Sequence, residues 1–301
     1  MYCADRLIYL QLEKTACTHI SKLLSYCVSG EQVEKHNPLR DYDASKLIVG
    51  SIRNPWNWYV SLWAYGAKGE GMIRKSTTRR SFQNALKLYS GTYDPFQFSS
   101  WLRKSPFKHS MQTLVNSPRG IWSELNKPVG DWKKSYEDPY DPACFRQWLE
   151  LILGSARQYG VGVGYAQNSL SSFAGLMTYR YCRLYLRDFV TLSQKCPAYT
   201  LDQLISLDQD HNLLDGIIRT EFLESDLIKV LEQANYTIDD QKLSAIHSSP
   251  VTNASTRSSV DFYYDAETIE LVSRKEKFII DKYSYQPPSI SLERTDEIKA
   301  V

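Results

Sequence analysis

The chain has 301 residues, enough to bury one large α/β core or two small ones. With 43% hydrophobic and 23% charged residues it has an ordinary globular composition, which excludes wholesale disorder. A net charge of only +2 argues against a dedicated nucleic-acid binder, and six cysteines with no CxxC pair read as reduced thiols rather than a disulfide framework.

Asp5 and Arg6 precede an apolar run, Leu7-Ile8-Tyr9-Leu10, that is too short for a signal-peptide core or a membrane span. A cytoplasmic protein is therefore expected, unless an N-terminal anchor has been removed. The run is rich in strand formers and leads into a polar loop at 11–18. Ile20, Leu23, Leu24 and Cys27 then follow at i, i+3, i+4, i+7, which is one apolar face of a helix. A short strand is expected at 32–36, ending at His36. Residues 46–52 (KLIVGSI) read as a buried strand, with Asn54 as N-cap and Pro55 as first helical residue. Tyr59, Leu62, Trp63 and Gly66 continue at helical spacing.

Residues 67–143 differ in character, with turn signals at Gly91, Pro106, Pro118, Pro128, Pro139 and Pro142. They read as an irregular insertion lying over the sheet, with helices around 82–89 and 96–103. Helix signals return at 142–159 and 167–179. Residues 215–220 (DGIIRT) read as another core strand, followed by a helix through Leu227, Ile228 and Leu231. Asp265 is expected to cap one last helix with Ile269, Val272, Ile279 and Ile280 inward. Alternating strands and helices predict an α/β fold with a parallel central sheet flanked by helices. It is expected as a single domain over 1–286, with a flexible C-terminal tail at 287–301.

Glu13-Lys14-Thr15-Ala16-Cys17-Thr18 lies between a strand and a helix, where backbone N–H groups and the positive helix end create an anion site. Lys14 adds a mobile point charge, and the Thr15 and Thr18 hydroxyls are candidate donors to phosphate oxygens. The pattern is not a Walker A motif, because Leu10, Gln11, Leu12 and Glu13 stand where its glycines belong. Taken alone, this Lys-Thr pair is equally a surface lysine and a helix cap. The segment from Ser51 to Ser61 lies at a second strand-to-helix turn. Arg53 offers a planar fork for phosphate oxygens and Ser61 a short hydroxyl donor, a pair suited to a terminal phosphate monoester.

Lys14-Thr15 with Thr18 resembles the 5′-phosphosulfate loop of sulfotransferases that use 3′-phosphoadenosine 5′-phosphosulfate (PAPS), a Lys-Thr-Gly-Gly-Thr type sequence. Arg53-Asn54-Pro55 with Ser61 resembles their 3′-phosphate motif. Three further segments resemble the bacterial and glycan-modifying branch more loosely. These are Gly175-Leu176-Met177-Thr178-Tyr179-Arg180-Tyr181, Arg219-Thr220-Glu221 with Asp226, and Tyr263-Tyr264-Asp265 leading to Lys282-Tyr283-Ser284-Tyr285. The resemblance covers 7–61 and, loosely, 165–285; the insertion lies outside it. Two departures stand out. Ala16 and Cys17 replace the usual glycines, which restricts close backbone approach. Trp58 stands where many members carry a second arginine.

The resemblance implies a P-loop-type sulfotransferase fold. It also implies direct in-line sulfuryl transfer from PAPS to an acceptor hydroxyl, with 3′-phosphoadenosine 5′-phosphate (PAP) as product and no required metal. Lys14, Thr15, Ala16, Cys17, Thr18, Arg53 and Ser61 would hold the donor, with Lys14 also catalytic at the leaving oxygen. Arg257, in the polar segment 253–258, would join them, since related enzymes close a basic loop there. His36 is the candidate base: it sits at an expected strand end beside the nucleotide loops, and a histidine serves this role in several glycan sulfotransferases. Glu13, Glu34 and His19 compete with it, although Glu13 is more readily a loop-end salt-bridge partner and His19 a packing residue of the first helix, while His109, His211 and His247 have no motif around them.

The acceptor is expected to be a saccharide or a small hydroxylated metabolite, with its pocket built by 67–143 and 165–181. The chain's 21 Tyr and 7 Trp could stack on it, although packing is their commoner use. Arg74-Lys75 with Arg79-Arg80, and Arg103-Lys104 with Lys108, could greet an anionic acceptor, against the plainer reading of a solvated face. No nucleic-acid partner is expected. The alternatives are a nucleotide-dependent phosphotransferase on a P-loop core and a non-catalytic nucleotide-binding protein.

Overall fold

The computed structural model describes residues 1–39, 45–81, 121–122, 124–154, 161, 164–249 and 258–289. The chain gathers into two compact units. One comprises Met1–Leu62, Phe173–Thr256 and Val272–Ser289; the other comprises Trp63–Ser172, Arg257–Leu271 and Ile290–Val301.

The first unit is α/β, built on a five-stranded sheet. Its strands are β1 (Tyr2–Ala4), β2 (Leu7–Tyr9), β3 (Gly30–Gln32), β4 (Leu47–Ile52) and β5 (Gly216–Arg219). Their spatial order is β3-β1-β2-β4-β5. β2, β4 and β5 run parallel, with Leu7 opposite Leu47 and Val49 opposite Gly216. β1 is antiparallel to both β2 and β3, so the sheet is mixed rather than parallel throughout. The reason is the connection. Only Asp5 and Arg6 separate β1 from β2, and a parallel crossover needs a dozen residues or more. The strand expected at 32–36 lies at 30–32 instead, and His36 stands beyond its end.

Helix α1 (Cys17–Cys27) follows β2 and the first polar loop. Its predicted apolar face is real: Ile20, Leu23 and Leu24 are fully buried and Cys27 nearly so, packed in one cluster with Leu7, Tyr9 and Val49. Each such side chain contributes about 1.5–3 kcal/mol of burial free energy. Helix α2 (Pro55–Ala67) starts as the sequence suggests, with Pro55 first and Asn54 Oδ1 accepting the Trp56 N–H at 3.1 Å. After β5, the helix Leu223–Gln233 buries Leu227, Val230 and Leu231.

The single last helix is in fact two, Ala266–Lys275 and Lys277–Tyr283. Asp265 caps the first, accepting the Thr268 N–H at 2.9 Å. They part at Glu276, whose carboxylate is fully buried and turned to another task. It accepts the N–H groups of Met177 (3.0 Å) and Thr178 (2.9 Å) and the Thr178 hydroxyl (2.6 Å), which caps the helix Leu176–Tyr185. The helix expected at 167–179 is accordingly replaced by two short 3-10 turns, Tyr165–Gln167 and Ser169–Ser172, and this later helix.

The second unit has an aromatic core. Trp63 packs edge-on against Phe145 (5.4 Å) and Tyr263 (5.4 Å), and Phe145 stacks on Trp148. The indoles find acceptors: Trp63 Nε1 donates to the Ser135 carbonyl at 2.8 Å, and Trp148 Nε1 to the Tyr136 hydroxyl at 2.6 Å. Its helix Pro142–Leu153 is capped by Asp141 and ends earlier than the expected 159. Across the molecule Trp56, Trp58, Trp63, Trp132 and Trp148 are buried, so these aromatics pack rather than offer stacking faces. All six cysteines are free. No helix among the described residues is long and apolar enough to cross a membrane. The helices expected at 82–89 and 96–103, and the tail from 290, lie outside the described residues.

Candidate functional site

The two loops singled out in the sequence meet in the first unit. β2 and β4 are adjacent and parallel, so the loops leaving their C-terminal ends emerge side by side, as parallel α/β sheets place their ligands. The first loop is a tight turn into α1. Lys14 (φ 65°) and Ala16 (φ 57°) both adopt the left-handed conformation. An L-residue in that region costs roughly 1–2 kcal/mol, which a glycine would not incur. Ala16 is also the N-cap of α1 and offers no side-chain cap. The first N–H groups of α1 therefore have no side-chain acceptor from that position, no acidic residue stands in its first turn, and the exposed Thr18 lies among them.

Strain of this kind persists only where neighbours over-determine the backbone, and here they do. Thr15 Oγ1 donates to the Leu12 carbonyl (2.8 Å) and pairs with Ser51 Oγ (2.6 Å). Ser51 also binds the Tyr9 hydroxyl at 2.7 Å, and its backbone exchanges two hydrogen bonds with the Tyr185 hydroxyl. Trp58 Nε1 donates to the Glu13 carbonyl at 2.7 Å, and Arg53 Nη1 to the Lys14 carbonyl at 3.4 Å. The second loop thus braces the first.

On α2, Asn57 and Ser61 are partly exposed, while Trp56, Trp58, Tyr59, Val60 and Leu62 are buried. Ser61 therefore lies on the open stripe of the helix that Arg53 and Asn54 begin. The Asn54 N–H is held by Glu221 at 2.7 Å, and Thr220 Oγ1 donates to the Ile52 carbonyl at 3.0 Å. The end of β5 fixes this loop from its other side.

His36 (φ 61°) places Nδ1 2.8 Å from the Gln11 carbonyl, at the start of the first loop. A carbonyl only accepts, so Nδ1 carries the proton and the neutral ring's lone pair is on Nε2. Burial lowers the His36 pKa, with the Glu13 carboxylate opposing it. The Glu13 carboxyl is itself held below the usual carboxylate range. Burial pushes it up, but Arg180 and then His36 outweigh this. Arg180 ion-pairs with Glu13 and lies over the Trp58 ring at 5.6 Å. Sequence reasoning placed Arg180 in the expected acceptor-pocket segment 165–181 but not beside Glu13, since it arrives from a helix far along the chain.

One expected donor needs correction. The Thr15 side chain is fully buried and its hydroxyl bonds inward, so Thr15 can offer an anion only its backbone N–H. Cys17 opens α1 with its thiol buried and its pKa raised by burial. His19 is buried on α1, in the packing place expected of it. Arg219 clamps Asp226 with two 2.8 Å bonds and serves the fold. Among the basic stretches, Lys75, Arg79 and Arg80 are exposed, as the solvated-face reading expects, with Arg80 also donating to the Glu124 carbonyl (3.2 Å), while the partly buried Arg74 donates to the Gly66 carbonyl (2.7 Å). Arg257, His109 and the 103–108 stretch lie outside the described residues. No family model, curated protein or solved structure matches the chain.

Proposed function

We propose that the chain is a sulfotransferase that moves a sulfuryl group from PAPS to an acceptor hydroxyl. The observation that carries this reading is the contact of Arg53 with the Lys14 carbonyl, which joins a phosphate-type arginine loop to a strained lysine loop at one helix N-terminus. Such a pair suits a ligand with two separated anionic groups, and PAPS has them. A Walker-type nucleotide loop would instead show glycines before the lysine.

The residues present fit that donor. Lys14, the Thr18 hydroxyl and the first N–H groups of α1 would hold the 5′-phosphosulfate, while Arg53 and Ser61 would hold the 3′-phosphate. PAPS supplies an activated sulfuryl group on a good leaving phosphate. Lys14 would stabilise the negative charge that grows on the leaving oxygen. The acceptor oxygen bonds to sulfur as the bond from sulfur to the bridging oxygen breaks, and the hydroxyl proton passes to His36 Nε2. A histidine kept neutral by burial is ready to take it. The acceptor we favour is a saccharide or small hydroxylated metabolite, a choice that rests on the family resemblance alone.

Calorimetry with PAP and with ATP tests the reading. PAP should bind more tightly, and affinity should fall steeply on Arg53→Ala. Tighter binding of ATP would instead favour a phosphotransferase. Transfer from labelled PAPS to a glycan panel should be lost in Lys14→Ala and in His36→Gln, whereas a non-catalytic binder would hold PAP without transferring the label.

A further inference from the structure

A carboxylate inside an anion-binding loop is an anomaly. Glu13 immediately precedes Lys14, and its charge is felt by both His36 and Lys14. Left alone, it would repel an incoming anion and draw a proton onto the imidazole. The fold answers with Arg180. Its side chain is 11% exposed against 38% for Glu13, so the guanidinium is held from the protein side and reaches out to the carboxylate. The Trp58 ring lies beneath it at 5.6 Å, and Trp58 Nε1 fixes the Glu13 carbonyl at 2.7 Å. One residue on α2 therefore braces both the cation and the backbone of the residue that the cation neutralises. His36 is docked on the same loop through the Gln11 carbonyl.

We propose that Arg180 is a positioning residue that neutralises and holds Glu13, so that the first loop presents a net cationic face and His36 keeps a free Nε2 lone pair. This deepens the donor-site reading and rests on it for the identity of the anion, but its electrostatic core stands on the Arg180–Glu13–Trp58 geometry alone. The charged groups that face His36 are Glu13 from the loop, Arg180 from the helix Leu176–Tyr185, and Lys35 beside it. Removing Arg180 leaves Glu13 as the dominant neighbour.

The test is an NMR titration of the His36 ring in the full chain, assigned by His36→Gln, alongside PAP calorimetry. In Arg180→Ala the His36 midpoint should rise by about half a unit or more, and PAP should bind about tenfold more weakly. Adding Glu13→Gln to Arg180→Ala should return the midpoint to or below the wild-type value and recover most of the affinity. A purely structural brace would not give that rescue. Arg180→Lys, which keeps the charge, should leave the midpoint close to wild type. An unchanged or lowered midpoint in Arg180→Ala overturns the proposal, as does a double variant that binds no better than Arg180→Ala. If Arg180→Ala fails to fold, Glu13→Gln alone decides: the His36 midpoint should drop, and no drop overturns the proposal. Should wild type bind no PAP, the donor reading fails while the titration still judges Arg180.

Discussion

At the scale of single residues, the first loop carries backbone strain that glycine would remove. Ala16 sits at φ 57° as the N-cap of α1. Ala16→Gly should therefore raise stability by about 1 kcal/mol, less whatever the glycine adds to the unfolded chain's freedom. Ala16→Val should lower it, because a branched side chain tolerates that region worse. Urea unfolding of the three proteins measures both, and a less stable Ala16→Gly would show that the strain was misjudged. His36 yields a pH prediction. Its pKa is lowered in the fold, chiefly by burial, from an ordinary 6.5. The folded state thus resists protonation, and stability is full above that value and declines as pH falls below it. The stability gap between wild type and His36→Gln should narrow on acidification from pH 6.5 downward, and a gap constant with pH would contradict this. Lys14 and Arg53 drew attention because each stands at a strand-to-helix turn, and His36 because it follows a strand end; there residue type alone suggests the chemistry. Thr15 was misread because sequence does not say which way a hydroxyl points. The pairing of Arg180 with Glu13 was invisible because only the tertiary fold brings them together.

At the scale of elements, the helix Leu176–Tyr185 carries Arg180 to the loop, and its own start depends on Glu276. A carboxylate that accepts two backbone N–H groups and the Thr178 hydroxyl replaces the Ser, Thr, Asp or Asn cap that the sequence lacks there. Gly175 is what lets Glu276 come so close. A Cβ at that position would lie 2.0 Å from Glu276 Oε1 and 2.8 Å from the Tyr59 hydroxyl. Gly175→Ala should therefore destabilise the protein by about 2–4 kcal/mol, as disruption of a buried hydrogen-bond cluster does. Because that helix holds Arg180, PAP affinity should drop with it. Wild-type unfolding and binding in Gly175→Ala would remove this account. The strands at 7–9, 47–52 and 216–219 and the helices α1 and α2 were readable from apolar spacing and caps. β1 was not, being three residues long with no period to display. Nor was the break at Glu276, since an apolar pattern on both sides hides a buried acid between them.

For the molecule as a whole, the alternation of strands and helices correctly indicated α/β, and the mixed sheet followed from a short link whose consequence is topological. Every described residue assigned to the donor lies in the first unit, from Lys14 to Ser61. A ligand bound there stabilises the folded state by mass action, by about 2.7 kcal/mol at a hundredfold excess over its dissociation constant. Thermal unfolding in saturating PAP should accordingly shift upward, while the same concentration of adenosine, which lacks both anionic groups, should shift it little. The gain should shrink as salt rises, because Lys14, Arg53 and the α1 N-terminus act through charge that ions screen. Arg53→Ala should lose more of the shift than Ser61→Ala, since a charged fork contributes more than a neutral hydroxyl. A shift that adenosine matches, or one that survives both high salt and Arg53→Ala, would mean that the two loops do not form an anion site.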